Sequence, residues 1–190
     1  MNKKELSEMT LKELWELFPI IVTDHLENAE QWYNEEKAIL SDIISDDKMV
    51  IHHIGSTYVK TIKAKPIIDI IIEFDSYSSM KAASVKLTDN GYNCMSENEN
   101  RISLNKGYTK DGFAERVFHI HLRLYGDNDE LYFRDYLIDF PDIAKEYEKL
   151  KLSLCEKYKH NRNAYTDAKH DFICCCTKKA KSLYKNKYDI

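Results

Sequence analysis

Apolar residues in this chain fall into helical spacing at both ends and into strand-like runs in the middle. In residues 1–47, Leu14, Leu17 and Phe18 share one helical face, with Thr10 and Glu13 at capping-box spacing ahead of them. Pro19 ends or bends that segment. A second helix is predicted over 28–44, with Trp32, Ala38 and Ile39 among its apolar positions. Residues 49–54 and 67–72 read as strands, the second a β-branched run interrupted by the lone carboxylate of Asp69. Residues 77–90 return to helical spacing through Met80, Ala83 and Leu87, and Gly91 stands in the favoured place past a C-cap. Short strands are predicted over 92–95 and 101–104, a turn over 96–100 and a loop over 106–112.

Residues 116–125 alternate. Val117, His119, His121 and Arg123 fall on one face, and Phe118, Ile120, Leu122 and Leu124 on the other. That predicts a strand whose polar face carries two imidazoles and a guanidinium. Helical spacing then runs to the end, over 129–140, over 142–158 (Ile143, Tyr147, Leu150, Leu154) and over 163–184 (Tyr165, Ala168, Phe172, Cys176, Leu183). The expected organisation is one domain over 1–190, with a helical segment 1–47, a sheet core 48–125 and a helical part 126–190.

Composition narrows the class. The chain has 190 residues, enough for a genuine core, and 43% hydrophobic with 32% charged residues is an ordinary soluble balance. A formal charge of −4 gives no global electrostatic argument for nucleic acid. No apolar run approaches the ~20 residues that cross a bilayer, and the first ten residues lack the apolar stretch of a secretory signal. A cytoplasmic protein with no membrane partner is expected. Cys94, Cys155, Cys174, Cys175 and Cys176 have no framework spacing, which fits a reducing compartment and buried or half-buried thiols. There is no CxxC pair, Walker-type glycine loop or serine nucleophile elbow. Most of the 13 tyrosines sit at core-like helical positions.

The chemistry concentrates around the two central strands. Gly55 lacks a Cβ, so the backbone can turn sharply and approach a ligand. Ser56 and Thr57 carry hydroxyls suited to a helix N-cap, and a helix N-terminus binds anions. A lone acid such as Asp69 inside an apolar run is expensive to bury unless it is paired or binds a cation.

A Gly-Ser turn followed by an acid on a strand resembles the nucleotidyltransferase superfamily, whose members hold nucleotide phosphates at the turn and metal ions on strand carboxylates. More closely, the chain resembles the GrpB family. Its hallmark is matched by His53-Ile54-Gly55-Ser56-Thr57, Val59 and Ala64-Lys65-Pro66-Ile67-Ile68-Asp69-Ile70; Tyr58, Lys60 and Thr61 replace its second Ser and its Pro-Gly. The family's HxH strand is matched by His119 and His121, its FRDYL helix by residues 133–137, and its AYxxAK signature by residues 164–169. Trp32 and Glu35-Glu36-Lys37 are similar to its first helix, so the resemblance runs from about Trp32 to Phe172. It implies an α+β fold, the α/β-type nucleotidyltransferase fold, with a mixed sheet of about five strands flanked by helices.

The resemblance further implies a nucleoside triphosphate held at Gly55, Ser56 and Thr57. By their charge, Lys65 and Arg134 either bind its phosphates, Arg134 in bidentate geometry, or are ordinary surface cations. Asp69 would carry Mg²⁺ or Mn²⁺. A nucleotidyl group would then pass to a small-molecule or macromolecular acceptor. The residues also leave alternatives. Asp69 either binds an ion or accepts local hydrogen bonds. Superfamily members carry a second acid two residues on, where this chain has Ile71; Glu73 lies about 13 Å from Asp69 at strand rise. His119 and His121, about 7 Å apart on one strand face, either complete a metal site with Asp69 suited to Zn²⁺, Mn²⁺ or Fe²⁺, bind phosphate or act in acid–base catalysis, or simply line a polar face. His53 either orients the Gly-Ser turn or is a satisfied strand histidine, and His52 is structural or solvated. Arg123 is a weaker phosphate candidate, and Lys169 either pairs with an acid, the favoured reading, or meets the ligand. The rival functions are a non-catalytic nucleotide or coenzyme A-related module and a metal-dependent phosphohydrolase using the histidine pair.

Overall fold

A computed structural model describes residues 4–188. After a 3₁₀ turn at Leu6–Glu8, α1 (Leu11–Leu17) starts at the predicted capping box. The Glu13 amide donates to the Thr10 hydroxyl, and the Thr10 amide donates to Glu13 Oε2 at 2.8 Å. The helix ends before Pro19. α2 (Ala29–Ile44) buries Ala29, Trp32, Glu36, Leu40 and Ile44, a stripe at three- and four-residue steps. Ala38 and Ile39 are not on that stripe. Both face solvent, with Ile39 42% exposed, because the sheet-facing side of the helix is set by Trp32 and Leu40.

The five strands are β1 (Val50–Ile54), β2 (Ile68–Phe74), β3 (Asn93–Glu97), β4 (Arg101–Thr109) and β5 (Gly112–Leu124), in the order β1-β2-β5-β4-β3. The sheet is mixed: β2 and β5 are parallel, and the other pairs are antiparallel. Ile68, Ile70 and Ile72 of β2 and Phe118, Ile120 and Leu122 of β5 form one apolar face. It packs on α2 and on α3 (Tyr77–Asp89), whose N-cap Ser76 accepts from the Ser79 amide. The opposite face carries Asp69, His119 and His121. It is covered in part by α4 (Asp129–Asp139), α5 (Pro141–Lys157), α6 (Arg162–Asp167) and α7 (His170–Tyr184). Ile54, Ile71 and Leu131 pack together where α4 meets that face. Among the described residues, no helix is long and apolar enough to cross a membrane.

Several sequence expectations change. The loop predicted over 106–112 is the far end of a hairpin, because β4 and β5 continue to pair as far as Thr109 and Gly112. Gly107 supplies the irregularity. Its φ is +91°, and a Cβ there would lie 2.2 Å from the Arg116 carbonyl oxygen, so only glycine fits this register shift. The helix predicted over 163–184 is broken after Asp167, and α7 starts anew at His170. No helix follows the Gly-Ser turn. Residues 55–62 instead form successive turns, with the amides of Tyr58, Val59 and Ile62 donating to the carbonyls of Gly55, Ser56 and Val59. Cys94 and Cys175 are exposed, whereas Cys176 is buried as expected.

A buried charge ties α2 to the sheet. Glu36, 3% exposed, accepts from Lys106 Nζ at 2.9 and 3.0 Å and from the Tyr92 hydroxyl at 2.5 Å. Removing one partner of such a pair strands the other. Lys106→Ala is therefore expected to lower folding stability by about 2 kcal/mol in urea titration, since Lys106 is partly exposed, and replacing both Glu36 and Lys106 by Leu should recover only part of the loss, because the buried Tyr92 hydroxyl then lacks its acceptor.

Candidate functional site

The register of β2 against β5 places Asp69 directly beside His119, with Ile71 beside His121. His119 Nδ1 lies 3.0 Å and His121 Nε2 3.6 Å from Asp69 Oδ1. These side chains form a group whose potential ligand atoms lie within 4.8 Å of one another. On the other side of Asp69 runs the end of β1, where Ile54 is its register partner and Gly55 follows with φ +74°. A Cβ at Gly55 would stand 2.6 Å from Asp69 Oδ2, so the glycine is what allows the turn to lie against the carboxylate.

The protons on His119 follow from its partners. Asp69 as a carboxylate only accepts, so Nδ1 carries the hydrogen of that bond. At Nε2, Arg162 approaches through a nitrogen at 3.2 Å and the Tyr108 hydroxyl at 2.8 Å. A guanidinium only donates, so Nε2 bears a lone pair and the ring is neutral. Burial agrees: it pulls His119 below the ordinary imidazole value despite the opposing pull of Asp69. For Asp69 itself, burial would raise the carboxyl, but hydrogen bonds from His119 and His121 outweigh it and hold the group well below the usual carboxylate range.

Cations surround this single acid. Lys65 lies 4.9 Å and Lys169 4.4 Å from the ring centre of the fully buried Tyr165. Burial, then Lys169 and Arg162, push the Lys65 ammonium down to about 7. Burial and Lys169 take Lys151 to about 7, and burial lowers Lys169 to about 8 despite Asp69. Among the described residues, no carboxylate lies within ion-pair distance of Lys65, Lys151, Lys169 or Arg162. The ion pair expected for Lys169 is thus absent, because the break between α6 and α7 turns that residue onto Tyr165 instead of an acid.

The other candidates divide. The Ser56 side chain has no hydrogen-bond partner among the described residues. The Thr57 hydroxyl instead shares a 3.0 Å hydrogen bond with His53 Nε2. Burial drops His53 to about 4, and its ring stacks on Tyr33, so this histidine braces the turn. Arg134 is engaged within the protein, donating to the His53 carbonyl at 2.9 Å, to Asp135 and to the Tyr188 hydroxyl. Arg123 is 4% exposed and lies against Asp127 and Glu130. Glu73 is held by the side-chain amide of Asn128 at 3.0 Å, with His52 at 3.5 Å, so it stays away from Asp69. Sequence reasoning misses Tyr108, Lys151 and Arg162. Lys151 was legible, since it interrupts the buried stripe of Ala144, Tyr147 and Leu154; Arg162 carries no such sign.

Comparison with known proteins places this geometry. The family model described as GrpB protein matches residues 19–179. The glutamate-rich protein GrpB of Alkalihalophilus pseudofirmus is 34% identical over 161 residues, covering 81% of this chain and 91% of that protein. The Bacillus subtilis protein YqkA is 32% identical over 183 residues, and the match takes in 93% of this chain but 52% of YqkA, about half its length. The crystal structure of GrpB from Enterococcus faecalis superposes with a TM-score of 0.74 at 29% identity, covering 86% of this chain and 99% of that one. The Cid1 poly(U) polymerase with bound MgGTP matches at a TM-score of 0.50 and 10% identity, over 78% of this chain and 46% of Cid1. At that identity the likeness is one of fold: a nucleotidyltransferase-like sheet with its helices.

The depressed lysines set a pH dependence. A lysine whose folded value is about 7 releases its proton before the unfolded chain does, so between about pH 7 and 10 the unfolded state binds more protons and stability rises with pH. Lys65→Met should make that rise shallower by up to about 1.4 kcal/mol per pH unit. Urea midpoints at pH 6.5, 8 and 9.5 check this, and equal slopes in both proteins would contradict it.

Proposed function

The chain belongs to the GrpB family, and from that premise we propose that it binds a nucleoside triphosphate with a divalent cation beside Asp69 and transfers the nucleotidyl group to an acceptor. One observation carries the proposal. A carboxylate and two imidazoles converge on the open face of a nucleotidyltransferase-like sheet, ringed by Lys65, Lys151, Lys169 and Arg162, which lack acidic partners among the described residues.

The donor set fits an ion. Separations of 3.0 and 3.6 Å between the carboxylate oxygen and the two ring nitrogens are those of ligands each about 2.1 Å from a shared centre. Two nitrogens favour Mn²⁺, Zn²⁺ or Fe²⁺ over Mg²⁺. Asp69, His119 and His121 would hold the ion, which when bound supplies Lewis-acid polarisation of a phosphoryl oxygen. For His119 Nδ1 to serve as a donor atom, its proton moves to Nε2, where the Tyr108 oxygen accepts it. Arg162 then loses His119 as an acceptor but keeps the Tyr108 hydroxyl, so the freed nitrogen can take a phosphate oxygen. Lys65 and Lys169 meet the remaining phosphate charge. The Gly55 turn admits the ligand close to the backbone. Charge building on the departing diphosphate finds ammonium groups already in place.

A second reading is favoured by Ile71. It is fully buried where a second acid would stand, so a two-carboxylate centre cannot form. On that ground the protein would be a nucleotide or coenzyme A-related binding module without transfer. A phosphohydrolase would employ the same donors with water as the acceptor.

Calorimetry with ATP, GTP, CTP, UTP and coenzyme A, each with Mn²⁺, Mg²⁺ or chelator, distinguishes these. Transfer predicts one triphosphate bound at least tenfold more tightly with Mn²⁺ than with chelator, a metal dependence lost in Asp69→Asn, and release of diphosphate with an acceptor. Binding that ignores the metal supports the module. Triphosphate converted to diphosphate and orthophosphate in water, and lost in His119→Ala, supports the hydrolase. No binding of any nucleotide overturns the proposal.

A further inference from the structure

Next to the cation cluster, a cleft opens between the end of α1 and the far end of the β4–β5 hairpin. Phe18, Ile21, Tyr108 and Phe113 line it, Lys65 and Arg162 form its basic side, and the exposed Glu115 also borders it. The ring centre of Phe18 lies 4.7 Å from that of Tyr108 and 5.1 Å from that of Phe113, and the Tyr108 and Phe113 rings are 5.1 Å apart. All three rings are half-buried.

These rings are held by backbone, not by chance packing. Tyr108 and Phe113 are register partners across the hairpin, just beyond the irregularity at Gly107. The segment after Phe18 is strapped down, with the Ile20 amide donating to the Lys159 carbonyl at 2.8 Å and the Cys155 thiol to the Ile20 carbonyl at 3.2 Å. Tyr108 belongs to both regions. Its ring lines the cleft, while its hydroxyl touches His119 at 2.8 Å and Arg162 at 3.2 Å.

We propose that this cleft is the subsite for the planar base of the nucleotide whose phosphates are held from its Lys65 and Arg162 side. The inference rests on the nucleotide reading above and deepens it. A hydrated polyphosphate gains nothing from aromatic walls, whereas a nucleobase stacks on them whatever its identity. The placing of charge sets the direction: of the residues lining the cleft, the cations Lys65 and Arg162 belong to the Asp69 side, with Arg162 on His119, whereas Phe18 and Phe113 stand at the end of α1 and of the hairpin. One ligand with an anionic end and a flat apolar end satisfies both.

The test compares ATP, GTP, CTP and UTP with inorganic tripolyphosphate by calorimetry on the intact chain with Mn²⁺. The wild type is set beside Phe113→Leu and Phe18→Leu, which keep an apolar side chain but lose the stacking surface. Thermal melts establish that each variant is folded, and either variant suffices. At least one nucleotide should bind ten times or more tighter than tripolyphosphate. The variants should weaken that nucleotide about tenfold and leave tripolyphosphate unchanged. Equal binding of tripolyphosphate and every nucleotide would overturn the base subsite while leaving a phosphate site standing. Variants that weaken both ligands equally, or neither, would overturn it too. Binding of neither ligand by the wild type would remove the nucleotide reading and the subsite with it.

Discussion

Asp69 and His119 are neighbours across the parallel pair at the middle of the sheet, and the polar face depends on that register. Side chains alternate along a strand, so a slip of one residue between β2 and β5 would set Ile70 or Ile68 beside His119 and turn an imidazole towards α2 and α3. The apolar face guards against this. Ile68, Ile70, Ile72, Phe118, Ile120 and Leu122 interlock beneath the two helices, and a slip would expose them while burying polar groups without partners. The hydrophobic core on one side thus fixes the chemistry on the other.

The polar face is electrostatically unbalanced. One carboxylate stands among Lys65, Lys151, Lys169 and Arg162, and burial, then the neighbouring cations, lower all three lysines, so that their ammonium groups give up protons more readily than usual. Such a cluster costs folding free energy and persists because the surrounding helices fix it. Lys151 shows how: it is 2% exposed on α5, and its ammonium donates to the Lys63 carbonyl. An anion entering this space relieves repulsion already present in the fold, so binding and stability are coupled.

Much of this was legible from the order of residues, and what was not has physical causes. The alternation over 117–124 revealed both the strand and the imidazole pair on its polar face, because a period of two is a local property. The lone acid in the β2 run was conspicuous for the same reason. The meeting of Asp69 with His119 and His121 stood as only one of several alternatives, since it joins positions fifty residues apart through tertiary packing. Glycines at 107 and 112 suggested a loop, yet one glycine permits a strand irregularity and the other closes a hairpin. Arg134 matched the family motif, and α4 carries it to the His53 carbonyl and the Tyr188 hydroxyl, contacts that the motif alone does not reveal. Arg162 reaches His119 from the first position of α6, one residue ahead of the predicted helix and outside the family signature at 164–169.

The break between α6 and α7 has a consequence for how the protein comes into being. The acid and both imidazoles have been synthesised once the chain reaches His121, but Lys151, Arg162 and Lys169 arrive only with the last helices. A nascent or clipped chain that ended before α6 would contain the acid and both imidazoles but lack Arg162 and Lys169, half of the cationic wall. The polar face is therefore completed late, as the last two described helices are added.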